Sequence, residues 1–283
     1  MGVKDLYTNS RYQYLYPEAA YGGWHQFAPY NELVKEYFCT DGKDIKTSEV
    51  YDENDPYANR DLRLYASVFL PPLGSYPGST YNDITYDCFK GANTSDYYNK
   101  FALFNGYCPK KGCDPSIINN LGATPTYTPI MRYAEVLLSY LEALNEAQPS
   151  AVDQDILDLT INDIRDRVKL TKLEKANMSQ ELIREAVRKE RRVELAFEGL
   201  RYYDVLRWGI AEKELNHTFT GVKLSDDPKA RNYRGSGTAA SPVDEDMYYQ
   251  FEKRTWSPHN RYFPIPQNDL NVNKNLKQNT GYN

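Results

Sequence analysis

The sequence changes rhythm twice, and that change limits the folds open to it. Between Thr128 and Leu215 apolar residues recur at the spacing of one helix face, while Tyr, Gly, Pro and Asn break up the chain on either side. Apolar positions 130, 133, 137, 140, 141 and 144 predict a first helix over 130–144, stopped by Pro149. A second is expected over 155–170, with Leu157 near its start and Ile161, Ile164 and Val168 on one side. The third runs from Ser179, an N-cap residue with Glu181 in the first turn, through Phe197, with Gly199 as its C-cap, and a fourth follows over 200–215. Short connections favour antiparallel neighbours, so residues 128–215 should form a helical layer.

Outside that layer the signals are shorter. Leu33, Val34 and Tyr37 behind Asn31 predict a short helix over 31–38, ended by the turn Asp41-Gly42-Lys43. Alternation of Leu64, Ala66, Val68 and Leu70 predicts a strand over 64–70, and the dense Gly, Pro and Asn from 71 to 129 predict loops with isolated short strands. The expected architecture is therefore mainly α with long loop excursions and a few short strands. One domain over 1–283 is expected: a loop-rich part at 1–127, the helical layer at 128–215, and a loop-rich tail at 216–283 that lies across the surface.

A formal net charge of -5 means that the average field repels phosphate backbones, which argues against a nucleic-acid partner. No run of 18 apolar residues is present to cross a bilayer. Of 26 tyrosines, 18 fall within residues 1–133 and Tyr140 stands alone between 134 and 201, so the excess belongs to the irregular part. Tyrosine offers a rigid apolar face with one polar handle, suited both to a loop-rich core and to partly polar ligands. Cys39, Cys88, Cys108 and Cys113 form no CxxC pair and stand beside no zinc-spaced His, so no metal is expected; Cys108 and Cys113 flank a turn that could close a disulfide in an oxidising compartment. Met1-Gly2-Val3-Lys4-Asp5 is not a signal peptide, which leaves a cytosolic protein or a sequence that begins after its export signal.

The most enzyme-like feature is the run of Arg and Glu from Arg184 to Glu198. A glycoside hydrolase needs two carboxylates, one as general acid, and Glu190 and Glu194 share the face that carries Ile183 and Val187. Buried carboxylates need partners, and interleaved arginines supply bidentate ones, so Arg188, Glu190, Arg191, Glu194 and Arg207 read as a structural ion-pair network. His25, His217 and His259 lie in no triad or metal motif, and no phosphate- or nucleotide-binding loop appears, so no catalytic residue and no cofactor is expected. Ligand capture falls instead to aromatic plates: Trp24 and Tyr21 on a Gly-rich loop, and Trp256 before Ser257-Pro258. Trp208, inside the fourth helix, is expected in the core.

Three segments together resemble the SusD/RagB family of nutrient-capture lipoproteins. They are Arg184 through Gly199 continuing to Arg201, Asp204, Arg207 and Trp208; Arg132-Tyr133-Ala134-Glu135-Val136-Leu137-Leu138 with Glu142 through Glu146; and Pro56 through Arg63. The ending, Pro264-Ile265-Pro266 and Gln278 through Tyr282, is similar to the family's as well. The resemblance implies a SusD-like fold with tetratricopeptide-like helix packing, no catalysis, and a lipid anchor at the outer membrane's outer face. It implies capture of oligosaccharide or polysaccharide, or of peptide in some members, for a SusC-like TonB-dependent transporter. Family members are longer, so it also implies that the amino-terminal half, with its lipidated cysteine, is absent here. A hydrolase using Glu190 and Glu194 and a scaffold with no small ligand are the readings from other classes.

Overall fold

A computed structural model describes residues 2–5, 27–70, 80–81, 84–85, 105–112, 126–224 and 242–282. Strand β1 (Gly2–Asp5) is followed by helices α1 (Asn31–Glu36) and α2 (Leu62–Ser67), then by strands β2 (Val68–Phe69), β3 (Thr80–Tyr81), β4 (Ile84–Thr85), β5 (Cys108–Pro109) and β6 (Thr126–Pro129). Helices α3 (Tyr133–Ala147), α4 (Gln154–Leu159), α5 (Ile161–Arg167), α6 (Gln180–Glu194), α7 (Arg201–Arg207) and α8 (Ala211–Leu215) form the helical layer. Strands β7 (Thr218–Lys223) and β8 (Tyr248–Lys253) and helix α9 (Gln267–Val272) complete the described chain. Among the described residues the strands pair in twos, all antiparallel: β1 with β6, β2 with β5, β3 with β4, β7 with β8. The fold is mainly α, as the residue pattern predicts.

The helical layer forms because each helix hides one stripe. Leu137, Leu138 and Leu141 of α3, Leu157 of α4, Ile161 and Ile164 of α5, and Ile183 and Val187 of α6 make one buried cluster with Val152. Ser179 caps α6, its hydroxyl accepting from the Leu182 amide at 3.2 Å. At the other end Lys111 Nζ and Arg132 Nη2 donate to the Glu194 carbonyl at 2.8 and 2.9 Å, satisfying a group that the helix leaves open.

Four boundaries depart from the expectations. Helix α6 ends at Glu194, not Phe197, because Phe197 turns the chain through φ 66° before Gly199 does so again at 79°. The expected second helix is two, broken at Thr160, whose hydroxyl bonds back to the Ile156 carbonyl at 2.5 Å while its backbone leaves the helical region. The fourth is also two, divided at Gly209 with φ 67°. Residues 64–70 are not one strand: Asp61 caps α2 by accepting from the Arg63 amide, and only Val68 and Phe69 are extended. Asn31 does not cap α1 with its side chain, which instead donates to Thr220 Oγ1 and accepts from the Tyr107 hydroxyl. Cys39 and Cys108 are buried; Cys88 and Cys113 lie outside the described residues.

Loop-rich residues pack around one guanidinium. Arg60, 2% exposed, donates from Nη1 to the Pro56 carbonyl and from Nη2 to those of Val34 and Tyr37, each at 2.8 Å, so it closes the C-terminal end of α1. Gly221 in β7 lies so close to Asn105 that a Cβ there would stand 2.3 Å from its carbonyl oxygen. The tail folds back on itself rather than merely lying across the surface. The Gln278 amide accepts from Ile265 N at 2.8 Å and donates to Ile265 O at 2.9 Å, Asn279 donates to the Phe263 carbonyl at 2.7 Å, and the Tyr282 hydroxyl donates to that of Tyr262 at 2.9 Å.

Candidate functional site

The two helix carboxylates come first, because they decide whether hydrolysis is available. Glu190 is 0% exposed and accepts from Arg63 at 2.6 Å and Arg165 at 3.1 Å. Glu194, 3% exposed, accepts from Arg63, Arg132 and Arg167 at 3.0, 3.0 and 2.6 Å. Burial by itself would raise the Glu194 carboxyl, but Arg63, Arg167 and Arg132 together hold it below the usual carboxylate range. A glycosidase general acid needs the opposite, a carboxyl raised enough to carry a proton. This pair joins α6 to α2, α5 and the entry to α3, and its geometry is that of a fastening.

The other members named from the sequence divide. Arg191 reaches Asp204 through Nε at 2.9 Å and Ser139 at 2.9 Å, and Arg207 binds Glu142 and Asp204. Arg188 stands apart from that set: its guanidinium lies 5.0 Å from the Trp208 ring centroid. Trp208 is not a core residue. It is part-exposed on a rack of Arg188, Arg201 and Arg207, and its indole N–H donates to Glu142 at 2.6 Å.

A concave aromatic surface lies elsewhere, between the start of α1, the turn after α6, helix α7 and β7. This cleft, of about 400 Å³, is lined by Tyr30, Phe197, Tyr202 and Phe219 together with Glu32, Arg192, Arg201, Glu214 and Arg254. Tyr30 and Phe219 hold their rings 4.5 Å apart, and the Arg254 guanidinium sits 5.1 Å from the first and 5.4 Å from the second. The Tyr30 hydroxyl donates to Glu252 and accepts from Arg254, and burial with the neighbouring carboxylate pushes its ionisation well above the usual tyrosine value. Glu214 bridges Arg192 at 3.0 Å and Arg201 at 2.6 Å, while burial and the like charge of Arg192 bring the Arg201 guanidinium below its usual value. Glu32 Oε1 accepts from the Thr220 amide and hydroxyl, but Glu32 Oε2 is buried without a partner. Phe219 is only 6% exposed, packed against Tyr30 and His217, so the open rings are Phe197 and Tyr202, and these beside Arg201 and Arg254 suit a ligand with flat C–H faces and many hydroxyls.

Sequence reasoning did not single out this cleft, since residues 30, 197, 202 and 219 meet only in the fold. Trp24 and Tyr21 lie outside the described residues. Trp256 is half-buried and its backbone is clamped by the Asn216 side chain, which donates to its carbonyl at 3.0 Å, while its indole N–H is buried without a partner. Among the described residues no cluster of His, Cys, Asp or Glu is placed to hold a metal ion, and no helix is long and apolar enough to cross a membrane.

The family model described as SusD family matches residues 3–282. The chain belongs to the SusD family. A SusD-like carbohydrate binding protein from Bacteroides fragilis superposes with a TM-score of 0.75 at 30% identity, covering 97% of this chain and 53% of that one. A second SusD-like protein from the same species gives 0.74 at 28%, covering 100% and 54%. The starch-binding protein SusD of Bacteroides thetaiotaomicron is 31% identical over 157 residues, 56% of this chain and 22% of its own length. The chain thus spans about half the length of the solved family members it matches. The family has the helical layer and loop-rich surround seen here, and two of these relatives carry carbohydrate or starch binding in their names.

Proposed function

We propose that this chain is part of a non-catalytic glycan-binding protein, lipid-anchored on the outer face of the outer membrane, that captures oligosaccharide and delivers it to a SusC-like TonB-dependent transporter. The observation that carries the capture step is the cleft itself, where the exposed Phe197 and Tyr202 rings line the same concavity as Tyr30, Arg201 and Arg254. Stacking supplies affinity for flat C–H faces, and the guanidiniums of the lining offer donors to hydroxyl oxygens. Phe197 supports the same reading, because a non-glycine residue held at φ 66° displays its ring on the cleft wall at a cost in backbone strain. Tyr21 and Trp24, which precede the cleft's Ala28 and Pro29 in sequence, are proposed as further plates, with Trp256 secondary to them. Hydrolysis by Glu190 and Glu194 is disfavoured by their burial and full pairing.

Affinity electrophoresis in gels that contain soluble polysaccharides tests the reading. Retardation is expected with at least one glycan, weakened roughly three- to tenfold by Tyr30→Ala, the magnitude of one lost stacking face. A protein retarded by none of them, yet binding a peptide library, would make the ligand a peptide and end the glycan assignment.

A further inference from the structure

Helix α3 has three sides, and among the described residues only two of them are covered. On the first, Leu138 and Leu141 join the core of the layer and Asn145 donates to the Gln180 carbonyl at 3.0 Å. The second carries every charged residue of the helix, Glu135, Glu142 and Glu146, with Ser139 among them. There Glu142 accepts from Arg207 and Trp208, Glu146 from Arg184, and Ser139 from Arg191. At about 100° per residue the third side collects Tyr133, Val136, Tyr140, Ala143 and Ala147, with no charge among them. All five are exposed, Tyr133 by 72%, Tyr140 by 51% and Val136 by 44%, and the exposed Ile130 and Met131 continue that surface ahead of the helix. A helix with one side in water carries its charges on that side. This one confines them to a stripe already paired with α6 and α7, and it is apolar on both flanks of that stripe.

We propose that the Tyr133, Val136 and Tyr140 side of α3 is the seat on which the amino-terminal half of the full-length protein docks. The solved relatives are about twice as long as the part of them that this chain matches, so a comparable mass of chain is there to be placed. The route of the backbone says where it arrives. Strand β1 sets Gly2 opposite Pro129, and β6 leads from Pro129 through Ile130 and Met131 directly into α3. Chain that enters at Gly2 therefore enters beside the start of the uncovered side, and it reaches that side without a long crossover. Size argues against a second copy as the occupant. One side of a 15-residue helix is about 22 Å long and roughly 10 Å wide, well short of the about 800 Å² that each partner of a stable complex buries. A segment of the same polypeptide loses no translational freedom on docking, so a narrow apolar seat is sufficient to hold it.

The test uses the full-length protein, with its mass in solution measured by light scattering. Tyr140 is replaced by the photoreactive p-benzoylphenylalanine, the protein is irradiated, and the joined peptides are mapped by mass spectrometry. The expected partner is a peptide from the chain that precedes residue 1. A partner within residues 1–283, a crosslinked dimer, or no adduct at all overturns the proposal. If the probe at Tyr140 abolishes the cooperative melting transition, it is moved to Tyr133, the most exposed ring of the side, and the same outcomes decide. A second measurement reads burial directly. Val136→Glu is expected to lower the melting temperature of the full-length protein by roughly 4 °C or more, while Val272→Glu, at a position 87% exposed on α9, leaves it within about 1 °C. Equal melting temperatures for the two variants show α3 open to water on that side and overturn the docking.

Discussion

The helical layer and the loop-rich part bury arginine equally deeply and satisfy it differently. At the layer, Arg165 and, reaching in from α2, Arg63 face carboxylates, with Glu190 and Glu194 drawing in four guanidiniums between them. In the loop-rich part Arg60 is just as enclosed, but its hydrogen bonds go to the main-chain carbonyls of Val34, Pro56 and Tyr37. The difference follows from the backbone. A helix interior satisfies its own carbonyls, so buried cations there meet side-chain carboxylates, and Arg165 finds its one close carbonyl, that of Thr171 at 2.8 Å, only beyond the end of α5. Irregular chain leaves carbonyls open, and side chains with donors close them. The tyrosines serve the same need: the Tyr65 hydroxyl donates to the Tyr57 carbonyl at 2.6 Å and accepts from the Arg60 amide at 3.0 Å. Tyrosine is abundant where the backbone is least regular because one ring both fills space and supplies a polar tip.

Removing one side of each arrangement separates them. The largest effect is expected from Glu190→Ala, which leaves Arg63 and Arg165 buried with one shared neutralising group fewer, a loss of about 3–5 kcal/mol. Denaturant unfolding measures it, and a loss below 1 kcal/mol would show that the layer does not depend on charge neutralisation. Arg60→Met should cost less, about 1–3 kcal/mol, because it strands carbonyls rather than charges. If it proves the more damaging of the two, the contrast between the regions is reversed.

The smallest effect, and the sharpest discriminator, is expected in mild acid. The folded-state value of Glu194 is depressed, so its stabilisation is present above the pH where an unfolded glutamate titrates and is lost as pH falls through the folded value. The main-chain carbonyls that close the end of α1 carry no proton to gain or lose in that window. Native-state hydrogen exchange just below the ordinary carboxylate range should therefore show α6 amides losing protection before those at the end of α1. Simultaneous loss in both would remove the distinction.

Long helices were legible in the sequence, and their interruptions were not. Helices α3 and α6 carry enough turns for period and cap to agree, and Ser179 performs the role that its position suggests. The break at Thr160 is invisible to periodicity because Leu157, Ile161 and Ile164 join the same core from two helices. Residues 64–70 mislead for the converse reason: alternation over four apolar residues fits a strand, but the Asp61 cap starts a helix first. The helical positions of Arg188 and Trp208 suggest an ion-pair member and a core ring, yet they stack on each other at the layer's surface. The cleft left no local trace, since Tyr30, Tyr202 and Phe219 come from three distant elements and none sits in a motif.

The amide of Gln278 makes one more point about the tail. Because it bonds to both polar groups of a single residue, Ile265, the two ends of the intervening excursion are moored at one defined berth. The span between them, including α9, contributes neither of those bonds, so a change in its length would leave the mooring, and the Phe263 backbone beside it, in register.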